Sequence, residues 1–152
     1  MTARIFVDTN VLVYAYDRSE PVKQQQAFNL LHHLTMTGTG VISVQVMAEF
    51  FNTITRKITA PLSLDEAYQR LENYQQSWII LDLTPFTVLE AVRGVQMYQL
   101  SFWDAHIWAA ARMNQITVIF SEDFNNGATL EGVHFINPFA PNFQMADWFT
   151  LS

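Results

Sequence analysis

The chain contains no cysteine. That excludes disulfides, thiolate zinc sites and thiol nucleophiles, and it fits a reducing compartment. Cations are also scarce: eight Lys and Arg stand against fourteen Asp and Glu, a formal net charge of −6. A simple nucleic-acid binder carries a basic footprint. If this chain handles nucleic acid, a metal ion or a partner protein must supply part of the positive charge. No apolar run approaches the roughly 18 residues needed to span a bilayer. The first run is cut by Asp8 and Asp17 and lacks the basic start of a secretory signal. A cytoplasmic protein without a membrane partner is expected.

What is present is apolar: half of the 152 residues, with 14% aromatic. That suits a packed core, and residues 1–152 read as a single domain with no repeat, low-complexity tract or linker. Short apolar runs at Arg4–Val7, Gly40–Ser43, Trp78–Leu83, Thr117–Phe120 and Val133–Ile136 read as five strands. Between them lie helical segments, placed at Val11–Tyr16, Pro21–Thr37, Ser43 to about Lys57, a helix capped by Ser63, Pro85 to about Tyr98, and Ser101 to about Met113. Pro21 and Pro85 suit helix starts and Gly38 a helix end. Strands that alternate with helices, and lack strict polar alternation, indicate an α/β fold whose mostly parallel sheet is covered on both faces. Ligands of such sheets bind beyond the carboxyl ends of the strands.

Four acids fall at that edge. Asp8 ends the first strand and Asp123 follows the fourth. Asp104 lies in the first turn of the helix opened by Ser101, and Glu49 in the helix after the second strand. Each has a structural explanation alone: Asp8 as a helix N-cap, Asp104 as part of a Ser-x-x-acid capping box, Glu49 on a solvated stripe with Gln45, Asn52 and Arg56, Asp123 in a turn. Together they differ, because like charges in a cleft raise one another's pKa unless a cation sits among them. All-oxygen ligands suit Mg²⁺ or Mn²⁺, ions that activate water and stabilise charge on a phosphoryl group.

The segments FVDTNVLVYAYD, VISVQVMAEFFNTITRK, LSFWDAHIWAAA and VIFSEDFNNG, in that order, resemble successive motifs of the PIN-domain ribonucleases, and most of all the VapC-like toxins of bacterial toxin–antitoxin pairs. The likeness runs from Arg4 to about Pro138. It implies a three-layer α/β/α fold around a mostly parallel five-stranded sheet, and a metal-dependent endoribonuclease using Mg²⁺ or Mn²⁺. Asp8, Glu49, Asp104 and Asp123 fall on the family's acidic positions, Thr9 and Ser121 on its supporting hydroxyl positions. Asn10 would help Thr9 orient the first carboxylate. The family's Thr/Ser-x-Asp pattern selects Asp123 and leaves Glu122 as an extra acid. The resemblance also implies an RNA substrate and a cognate antitoxin; a homodimer is expected as well. Arg18, Arg56 and Lys57 are candidates for RNA contact.

Two other readings compete. A phosphatase-like phosphoryl-transfer protein would want a second acid two residues after Asp8, where Asn10 stands, and a receiver domain would want a late Lys, whereas none follows Lys57. A non-catalytic interaction domain would use the acids only as caps. Gly38-Thr39-Gly40 precedes a strand and makes no phosphate loop; Trp103 and Trp108 read as core or interface residues rather than base-stacking platforms, and His106 as a packed or surface residue.

Overall fold

Ile5, Phe6 and Val7 form strand β1, buried on both faces, as expected of the central strand of a covered sheet. The computed structural model describes residues 3–124 and 126–149. Five more strands join β1: β2 (Gly40–Ser43), β3 (Ile79–Leu81), β4 (Val118–Phe120), β5 (Thr129–Leu130) and β6 (Val133–Ile136). Their order is β3-β2-β1-β4-β6-β5. β1 pairs in parallel with β2 (Ile5 opposite Gly40) and with β4 (Ile5 opposite Val118, Val7 opposite Phe120).

The sheet therefore has six strands rather than the five expected. The extra strand, β5, has two residues and runs antiparallel to β6. It is joined by Glu131 and Gly132, both in the left-handed region (φ 50° and 84°), the geometry of a type I′ hairpin turn. Glu is a poor residue for such a turn, so the sequence carries only half of its signature.

Among the described residues six α-helices flank the sheet: α1 (Thr9–Tyr14), α2 (Pro21–Thr37), α3 (Val44–Arg56), α4 (Leu64–Ser77), α5 (Pro85–Tyr98) and α6 (Phe102–Met113). Their boundaries follow local chemistry. Ser43, Ser63, Thr84 and Ser101 accept a backbone N–H from the first turn of α3, α4, α5 and α6, each such cap contributing about 1 kcal/mol. Gly38 ends α2 in the left-handed conformation, φ 68°. α1 starts at Thr9, two residues earlier than expected, because Asp8 occupies the N-cap.

The helices form two packed sets: α1 with α2 and α3, then α3 with α4; and α5 with α6. Phe6, Leu12, Phe50, Trp108, Phe120 and Phe135 are fully buried, and burying such a side chain contributes about 1.5–3 kcal/mol. At two positions the packing requires glycine. A Cβ on Gly40 would lie 2.6 Å from the Trp78 ring, and one on Gly94 of α5 would lie 2.9 Å from the Trp108 ring of α6. No helix among the described residues is long and apolar enough to cross a membrane.

This order fixes where a site can form. After β1 the chain steps outward to β2 and β3, then returns to the other side of β1 for β4. The connections leaving the paired strands β1 and β4 run to opposite sides, and the crevice at the carboxyl end of such a switch point is the natural ligand site of an open parallel sheet. Asp8 and Ser121 are the residues that leave those two strands.

Candidate active site

Asp8 is 4% exposed. Its Oδ1 accepts the Thr9 N–H at 2.7 Å, and its Oδ2 accepts the Ser121 hydroxyl at 2.7 Å and the Asn10 side-chain amide at 3.4 Å. It thus sits at the N-cap of α1 while reaching across to the end of β4. Burial pushes its pKa up to about 7. The bonds from Ser121 and Thr9 oppose this, and the charges of Asp123 and Asp104 add to it.

Asp104 and Asp123 come to Asp8 from two other elements. Asp104 stands at the third position of α6, where its N–H is accepted by Ser101 Oγ at 3.2 Å. The return bond from the Ser101 amide that would complete a capping box is not formed. Its carboxyl is half-buried, and its pKa is raised by burial and by the charges of Asp123 and Glu49, with Ser101 opposing. Asp123 is exposed, in the loop after β4; its amide donates to Ser121 Oγ at 3.1 Å. One carboxylate oxygen from each of Asp8, Asp104 and Asp123 lies within 4.8 Å of the others.

Glu49 stands beside this trio rather than in it. It projects from α3, where the Thr9 hydroxyl donates to one oxygen at 2.9 Å and the Gln45 side-chain amide to the other at 2.8 Å. Thr9 and Ser121 thus each hold one acid in place through a hydroxyl. All four acids line one cleft of about 580 Å³ at the carboxyl edge of the sheet. The set can hold a hard divalent cation: three oxygen ligands converge, no sulfur or imidazole competes, and exposed Asp123 leaves a side open to water.

The remaining candidates separate. Glu122 is not one of the converging acids; Tyr14 Oη donates to its Oε1 at 2.6 Å and Lys23 Nζ to its Oε2 at 2.7 Å. Burial raises its pKa, but these two bonds outweigh it and the net shift is downward. Asn10 bonds both Asp8 and the Glu122 amide. Of the three candidate RNA contacts, Lys57 lines the cleft, while Arg18 and Arg56 are exposed outside its lining. Trp108 is fully buried, as a packing residue should be. Of the core and interface roles expected of it, Trp103 does not take the first: it is 62% exposed at the cleft wall. His106 is buried among Phe102 and Trp103, and burial lowers its pKa.

Sequence reasoning did not assign roles to Gln45, Tyr14 and Lys23. Gln45 could have been found from its spacing, one helical turn before Glu49. Tyr14 and Lys23 could not, because their link to Glu122 spans about a hundred residues.

Residues 5–126 match the sequence profile described as PIN domain. No curated protein sequence matches significantly. Several solved structures share the fold. A toxin–antitoxin complex from Klebsiella pneumoniae superposes with a TM-score of 0.65 at 19% identity, covering 90% of this chain and 98% of that one. VapC20 of Mycobacterium tuberculosis, a sarcin–ricin-loop-cleaving toxin, gives 0.62 at 18% identity over 84% and 97%. VapBC2 of Rickettsia felis, bound to a DNA fragment from its promoter, gives 0.59 at 15% over 86% and 96%.

Proposed function

Because the chain belongs to the PIN-domain family, we propose that it is a metal-dependent endoribonuclease and the toxin of a toxin–antitoxin pair. The observation that carries this reading is the convergence of Asp8, Asp104 and Asp123 at the β1/β4 switch point. A fold needing only helix caps would have no reason to gather three acids there at the expense of a carboxyl pushed up to about 7.

In this reading Asp8, Asp104 and Asp123 hold Mg²⁺ or Mn²⁺, which supplies an activated water and neutralises charge on the phosphoryl group. Thr9 and Ser121 orient Glu49 and Asp8 by donating to them. Glu49, held off the trio by Thr9 and Gln45, is placed to act through water at the rim or as a further ligand. Lys57 is the cleft's own phosphate contact. With one cation against at least five acids lining the cleft, RNA affinity depends on the metal and on contacts outside it.

A protein partner belongs to the same proposal. A cognate antitoxin would restrain the enzyme by placing an Arg against the acids, since guanidinium meets carboxylate at two points. A homodimer would cover exposed apolar residues such as Phe86 and Leu89 of α5. The toxin–antitoxin complexes among the structural neighbours support the antitoxin.

The test is a panel of structured RNAs incubated with purified protein and Mg²⁺, Mn²⁺ or chelator, with Asp8→Asn as control. Metal-dependent cleavage lost in the variant is expected. Folded protein that cleaves nothing, or cleaves equally with Asp8→Asn, would remove the proposal. Co-expression with the product of an adjacent small gene should relieve growth arrest and yield a stable complex.

A further inference from the structure

Asp123 is the least anchored of the converging acids. It is exposed and lies outside any strand or helix, and its amide has one partner, Ser121 Oγ. The residue before it is held far more tightly. Glu122 receives the Tyr14 hydroxyl at 2.6 Å and the Lys23 ammonium at 2.7 Å on separate oxygens, and its amide donates to Asn10 Oδ1 at 3.4 Å. The donors are braced in turn. Lys23 Nζ sits 4.9 Å from the centre of the Tyr14 ring, and Tyr14 packs edge-on against Phe139 at 4.9 Å.

We propose that Lys23, Tyr14 and Glu122 form a clamp that positions Asp123 against Asp8 and Asp104. The clamp joins the 121–123 loop to α1, the helix that Asp8 caps, and to α2. Glu122 is flanked by Ser121, which donates to Asp8, and by Asp123 itself. Displacing it therefore moves both the Ser121 hydroxyl that holds Asp8 and the Asp123 carboxylate of the trio. Lys23 and Glu122 are positioning residues: the two carboxylate oxygens of Glu122 are taken by Tyr14 and Lys23. The pair's side chains are 34% and 26% exposed, and ion pairs of that exposure contribute little to stability. Its use is geometric. This inference rests on the acid cluster binding a divalent cation, as proposed above.

The experiment measures Mn²⁺ binding by calorimetry, and metal-free melting, for wild type, Lys23→Met, Glu122→Gln and the exchanged pair Lys23→Glu with Glu122→Lys. Residues that orient metal ligands from behind affect affinity by about 10- to 100-fold. Each single variant should weaken Mn²⁺ binding by about tenfold, the lower end of that range, while melting within a few degrees of wild type. The exchanged pair should recover most of the affinity. For RNA cleavage, kcat should fall with KM little changed. Wild-type Mn²⁺ affinity in both single variants would reduce the contact to a surface ion pair. An exchanged pair weaker than either single variant would make Glu122 a ligand instead, and would equally overturn the clamp. A wild type that takes up no Mn²⁺ at all would overturn the acid-site reading itself.

Discussion

Two clusters of charge sit on this molecule, and they are built in opposite ways. At the far edge of the sheet, Glu90 and Arg93 of α5, Arg112 of α6 and Glu131 of the β5–β6 turn alternate acid with base. Arg93 bonds both Glu90 and Glu131, Arg112 reaches both, and the Tyr98 hydroxyl donates to Glu131 at 2.6 Å. The Arg93 bond, then that of Tyr98, pulls the Glu131 pKa down to about 2. In the cleft, three acids meet with no base among them, and burial carries Asp8 to about 7. A cluster whose charges balance explains itself as a fastening for α5, α6 and the hairpin. A cluster left unbalanced at a switch point is poised for something that arrives from outside.

The largest test removes one unbalanced charge. Asp8→Asn should lower RNA cleavage on the order of a thousandfold, equivalent to about 4 kcal/mol, yet raise the melting temperature of the metal-free protein at pH 8. Asn still accepts from Thr9 and can donate to Ser121, while the buried charge is gone. A melting temperature that falls would mean that Asp8 is a structural cap after all.

Next in size is the response to pH. The folded pKa of Asp8, about 7, lies above its ordinary 3.8. Between those values the folded state holds the proton that the unfolded chain has released, so metal-free stability should fall as pH rises from about 4 to about 7, by a few kcal/mol. Glu131 has the opposite sign. Its stabilising effect is present above its ordinary 4.5 and is lost as pH drops toward about 2. Metal-free melting should therefore peak near the ordinary carboxylate range, and saturating Mn²⁺ should flatten the neutral side of that peak. A curve that rises steadily to pH 8 without metal would contradict the contrast.

Gly94→Ala separates the regions further. The new Cβ would press on the Trp108 ring, over which Arg93 also lies. Overpacking of this kind costs about 1–3 kcal/mol. Stability should fall while Mn²⁺ affinity stays at the wild-type value. The smallest effect is expected from Glu131→Gln, a few degrees of melting temperature at most, because exposed ion pairs contribute little. A larger loss than for Gly94→Ala would show that the balanced cluster bears more of the fold than its exposure suggests.

The clusters also differ in how well the sequence displays them. Asp8, Asp104 and Asp123 were legible because each stands at a strand end or helix start, and parallel topology sends such junctions to one edge. The β5 strand and its ion-pair fastening were not legible. Two residues carry no periodicity, Glu131 holds a left-handed turn that its side chain does not advertise, and its partners lie 38 and 33 residues away. Glu122 was misleading for the same reason: beside Asp123 it looks like another acid of the site, and only the fold brings Lys23 to it. Trp103 shares a helix with buried Trp108, and pattern alone gave both the same role.

The switch point also bears on time. Asp8 emerges from the ribosome 113 positions before Ser121, its hydrogen-bond partner. At about 5–20 residues per second that gap is roughly 6 to 23 s of synthesis. During it β1 has no neighbour on its β4 side, and Asp123, the last of the converging acids, does not yet exist. The acid trio is thus incomplete for as long as β4 is unmade. The long-range pairing that slows the folding of such sheets acts here as a delay before the cleft is complete.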